Sequence, residues 1–66
     1  MSWFRAAAER GHGHAQLMVG RYYAHGIGVQ PDHAQALYWL ELAEGRGIVE
    51  ARAELAALQG RSARAS

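Results

Sequence analysis

Residues 15–47 read AQLMVGRYYAHGIGVQPDHAQALYWLELAEGRG, and this stretch decides the fold. Gly26 and Gly28, then Pro31 and Asp32, divide two segments that are rich in alanine and leucine and poor in β-branched residues. Alanine gives up no side-chain entropy in a helix and leucine little, so both segments favour helix. Pro31 and Asp32 suit a helix start. Proline has no N–H to leave unpaired in a first turn, and aspartate can accept from free N–H groups at the positive end of the dipole. Beyond them, Ala36, Trp39, Leu40 and Ala43 fall at spacings that share one helical face. Arg46 is placed for a last turn, where a cation is favoured, and Gly47 follows it.

The same punctuation extends outward. Gly11 and Gly13 make an earlier break, Gly45 and Gly47 a later one, and Gly60 a last one. Four helices are predicted, over about Ser2 to Arg10, His14 to His25, Asp32 to Arg46 and Val49 to Gln59. A small polar tail from Gly60 to Ser66 is expected to fray, so residues 1–60 make the domain and 61–66 a flexible tail. No stretch alternates as a strand does, and the fold class is all-α.

Shifted by 36 residues, the chain partly repeats. Trp3 falls on Trp39, Ala7 on Ala43, Arg10 on Arg46, Gly11 on Gly47 and Ala15 on Ala51, with Val19 on Leu55. A period of this length points to stacked units, each burying its apolar face against the next. The order of features resembles the Sel-one-like repeat, a relative of the tetratricopeptide repeats. The match runs, without gaps, through Ala15, Val19 in place of leucine, Gly20, Tyr23, Gly26, Gly28, Val29, Asp32, Ala36, Trp39, Ala43, Gly47, Ala51 and Leu55. Trp3, Phe4, Arg5, Ala7, Ala8, Glu9 and Gly11 resemble the end of a preceding unit. Departures fall late: Glu44 stands at a usual alanine, Ala56 at a glycine and Gln59 at a tyrosine.

The resemblance implies an α/α solenoid of antiparallel helix–turn–helix repeats, about one and a half of them, that binds a protein or peptide partner. Physical reasons for the pattern are readable. Small residues at positions 7, 15, 20, 36, 43 and 51 let helices approach, while Trp39, Tyr23 and Leu55 fill the space between layers. Gly26 and Gly28 permit a tight reversal, and Val29 is expected to tuck beneath it.

Composition narrows the function classes. The chain has 66 residues, half of them hydrophobic, and a formal charge of +1. Its seven basic residues, all arginine, are spread among six acids, so no dense cationic patch calls for nucleic acid or a membrane surface. There is no cysteine, hence no disulfide or thiolate metal site. No apolar run approaches the roughly 18 residues that span a bilayer, and the first ten residues do not read as a signal peptide. Cytoplasmic residence is the default expectation.

The main candidate site is a stripe on the second helix. His14, Met18, Arg21 and His25 are spaced by four, three and four residues and so share a face distinct from Ala15, Val19 and Tyr23. By the resemblance, this first helix of a unit lines the concave surface that grips partners. The same register in the fourth helix gives Glu50, Glu54 and Arg61. Arginine and methionine suit interfaces, although the same stripe could be a solvated face.

Metal and cofactor sites are not expected. His14 and His25 would lie about 16 Å apart along a helix, too far to share an ion, and no histidine pair has the i, i+4 spacing of a helical zinc site. Catalysis is not expected either: Ser2, Ser62 and Ser66 sit in the termini, and Gly26-Ile27-Gly28 lacks the lysine of a phosphate loop. A carboxylate pair such as Glu50 and Glu54 reads more simply as a solvated helix face. The aromatic residues could form a base-stacking platform, but their helical spacing fits core packing better. A structural alternative to partner binding is self-association as a homodimer, which would cover apolar residues such as Trp3 and Phe4. A fragment of a longer array without its own ligand is also compatible.

Overall fold

The computed structural model describes residues 2–65, with side chains described to residue 60. Four helices follow one another: α1 (Ser2–Glu9), α2 (Gly13–His25), α3 (His33–Gly45) and α4 (Val49–Ala65). The first three keep close to their expected bounds. The fourth does not stop at Gln59 but continues to Ala65, through the segment expected to fray. A glycine inside a helix costs about 1 kcal/mol relative to alanine, which weakens the helix without ending it. Termination elsewhere in the chain comes from glycines in the left-handed region, and Gly60 is not one of them. Ser66 lies outside the described residues.

The ends of α1 and α3 show the sequence repeat in hydrogen bonds. After α1, Gly11 N–H donates to Ala8 O at 3.0 Å and His12 N–H to Ala7 O at 3.2 Å. After α3, Gly47 N–H donates to Glu44 O at 2.9 Å and Ile48 N–H to Ala43 O at 3.1 Å. Both are Schellman closures, which need a left-handed residue just past the helix. Gly11 (φ 93°) and Gly47 (φ 87°) supply it, a conformation a side chain would resist. α2 also ends on a left-handed glycine, Gly26 (φ 69°), with Ile27 N–H donating to Tyr22 O at 3.0 Å, and its turn into α3 carries further bonds. Asp32 N–H donates to Tyr23 O at 2.9 Å, and the Asp32 carboxylate accepts from Gln35 N–H at 3.1 Å, capping α3 as its sequence position implies. Val29 is half-buried there.

Consecutive helices pack on one another, and α2 also touches α4. The closest approach lies between α2 and α3. A Cβ built on Gly20 would come within 2.6 Å of Leu40 Cγ and 3.3 Å of the Leu40 backbone N. Leu40 is fully buried and gathers Leu17, Ala36, Ala43, Ala51, Leu55 and Leu58 around it, joining α2, α3 and α4. A second cluster, Ala8, Ala15, Val19 and Trp39, joins α1, α2 and α3, and Tyr23 packs against both. The small residues of the pattern lie where helices meet, as expected.

Candidate partner-binding face

The stripe on α2 lies on the accessible side of that helix. His14 and His25 are exposed, and Met18 and Arg21 are half-buried beside the buried Ala15, Leu17, Val19 and Gly20. Its two halves meet different neighbours. At the C-terminal half, Glu54 of α4 reaches across to α2. Arg21 Nε donates to Glu54 Oε2 at 3.3 Å, and His25 Nε2 lies 3.7 Å from Glu54 Oε1. One carboxylate thus bonds Arg21, lies beside His25 and ties α2 to α4, which are neighbours only by tertiary packing. Glu50 is exposed one turn earlier on α4. The side chain of Arg61, in the same register, lies outside the described residues.

The N-terminal half of the stripe opens onto α1 instead. His14 and Met18 line a groove of about 450 Å³ together with Trp3, Phe4, Ala6, Ala7, Arg10, His12 and Ala15. Trp3 is 84 % exposed at its edge, whereas Trp39, its equivalent in the 36-residue register, is 5 % exposed. Phe4 is half-buried and meets Tyr22 edge-on, with ring centroids 5.6 Å apart. The period that identified the stripe could not find this groove, because α1 contributes through tertiary packing. The cue available in sequence was Trp3 itself, at a core register position with no described helix before it.

A second, smaller groove, of about 320 Å³, lies between α1 and α3 and is lined in part by Arg10, Gln16, Trp39, Leu42 and Arg46. Gln16 is 3 % exposed and its Nε2 donates to Ala8 O at 3.1 Å. Sequence reasoning gave no role to this glutamine. Gln16 Oε1 and Trp39 Nε1 are buried there without hydrogen-bond partners.

Among the described residues, no three histidine or carboxylate side chains converge as an ion site. No described helix is long and apolar enough to cross a membrane.

A helical hairpin with a matching helix before it, whose end repeats its own hydrogen-bonded turn, is the arrangement of an all-helical repeat protein. The family model for the Sel1 repeat matches residues 1–12 and 13–47, and the chain belongs to that family. The first match ends with α1 and the second takes in the α2–α3 hairpin, so the matched units follow the helices. Sel1 repeats are, as a class, protein-interaction modules on a non-catalytic fold. No curated protein and no solved structure matches the chain.

Proposed function

We propose that this chain is a protein-interaction module that holds a peptide or partner protein on the face formed by α2 and α4. His14, Met18, Arg21, His25, Glu50 and Glu54 are its contact residues. The observation that carries the reading is the Glu54 bridge to Arg21 and His25. It holds Arg21 by a hydrogen bond and places His25 beside the same carboxylate before any partner arrives. Ordering flexible side chains on binding costs about 0.5–1.5 kcal/mol each, so groups already held lose less on association. The surface also combines a polar network with the adaptable Met18, a mixture suited to an interface.

The test is a peptide-display selection on the purified chain, followed by mapping of each selected peptide by amide chemical shifts. Shifts centred on Arg21, His25 and Glu54 or on His14 and Met18 are expected, with affinity lost on substituting the residues that shift. Selected peptides that map to the outer faces of α3, and that bind unchanged after those substitutions, refute the reading.

A further inference from the structure

We infer that the groove between α1 and α2 is a recognition subsite for an acidic peptide segment anchored by one aromatic or large aliphatic side chain. The inference rests on the interaction-module reading and names the chemistry of the partner.

The groove has an apolar body, with one arginine and two histidines and no carboxylate at its rim. Ala7 and Ala15 are small and leave room, while Phe4, Met18 and the exposed ring of Trp3 supply apolar walls. A volume of about 450 Å³ is ample for one large side chain and part of its backbone. The ionisable groups that line it are Arg10, His12 and His14, with no carboxylate among them.

Charge allocation elsewhere in the molecule selects the occupant. Arg5 pairs with Glu9 at 3.5 Å, Arg21 with Glu54 at 3.3 Å, and Arg52 with Glu44 at 3.9 Å. These pairs take up acids on α1, α3 and α4 away from the groove. Among the described residues Arg10, His12 and His14 have no carboxylate in ion-pairing reach. A partner bringing carboxylates finds the exposed Arg10 guanidinium not held by an internal acid. Charge-assisted contacts of this kind discriminate sign as well as adding affinity. The apolar walls then fix which residue of the acidic segment enters.

The measurement follows Trp3 emission and amide shifts of the whole chain during titration with three capped pentapeptides. The first has one phenylalanine flanked by two glutamates on each side. The second replaces the glutamates with lysines, and the third replaces the phenylalanine with glycine. The first is expected to shift Trp3 emission to the blue and to move signals of Ala7, His14 and Met18. Its affinity is expected to exceed that of each of the other two by about tenfold or more, and to fall as salt is raised. Arg10→Glu and Trp3→Ala, both at exposed positions, are expected to weaken it by about tenfold each with helicity retained, while Arg52→Ala leaves it unchanged.

Equal binding of the lysine or glycine peptide overturns the inference, as does indifference to Arg10→Glu. Should the acidic peptide leave Trp3, His14 and Met18 unmoved while selected peptides bind at Arg21, His25 and Glu54, the groove assignment fails and the module reading stands. Burial of Trp3 on concentration alone, with doubled mass by light scattering, also overturns it and makes a second copy the occupant.

Discussion

Gly20→Ala is the sharpest test of how α2 and α3 pack, because it sets backbone propensity against contact geometry. In a helix interior the change favours folding by about 1 kcal/mol. Gly60, within α4 and with nothing within 4 Å of its added Cβ, should show that gain. At Gly20 the added Cβ lies 2.6 Å from Leu40 Cγ and 2.8 Å from Leu40 Cδ2, roughly 1 Å inside an ordinary carbon contact of about 3.5–4.0 Å. Leu40 is fully buried between Ala36 and Ala43 and has no free side to turn to, so the helices must part. Overpacking of this kind costs about 1–3 kcal/mol. Gly20→Ala should therefore lie about 1–3 kcal/mol below Gly60→Ala in urea unfolding followed by helicity. In a domain holding only about 3–5 kcal/mol in all, that difference is large. Equal midpoints for the two variants would refute the claim that Leu40 sits directly against Gly20.

Further expectations separate the two tryptophans and the polar contacts. Trp39→Ala empties a buried site and should cost about 3–5 kcal/mol, enough to unfold the chain, whereas Trp3→Ala should stay within about 0.5 kcal/mol of the parent by thermal melting. Asp32→Ala removes the α3 cap and should cost about 1 kcal/mol, while Asp32→Asn should recover most of it in the same assay. Glu54→Gln should cost less than about 1 kcal/mol at low salt, because the Arg21 and His25 side chains are part-exposed, and nothing measurable near 1 M salt. Gln16→Leu should cost about 1 kcal/mol in chemical denaturation, through the bond lost to Ala8 O.

The helices were legible because their boundaries are local events. Gly11, Gly47 and Asp32 act through bonds to residues three to five positions away, and sequence displays such distances directly. The end of α4 was not, because Gly60 looks like a terminator in sequence and differs only in its backbone angles. The stripe on α2 followed from period alone. Its division did not, since Glu54 reaches Arg21 across 33 residues and no periodicity encodes that contact. Gln16 was missed for a related reason: its neighbours Ala15 and Leu17 are core, and only the approach of α1 shows that the polar residue between them is enclosed too.

The repeat register also explains why the two sides of the fold differ in what they can accept. A helix laid on α4 as α3 lies on α2 would meet Ala56 where α2 has Gly20. The added methyl would stand in the place that Leu40 closes to 2.6 Å on α2. It would also find Glu44 where Ala8 packs against Trp39, and Gln59 where Tyr23 joins the two clusters. Each exchange puts bulk or polarity at a position that the α1–α3 stack keeps small or apolar. On the other side, Trp3 keeps the residue that its register equivalent buries, and α1 leaves it in the open. The register therefore leaves an apolar surface beside α1, where the groove and the unpaired Arg10 lie.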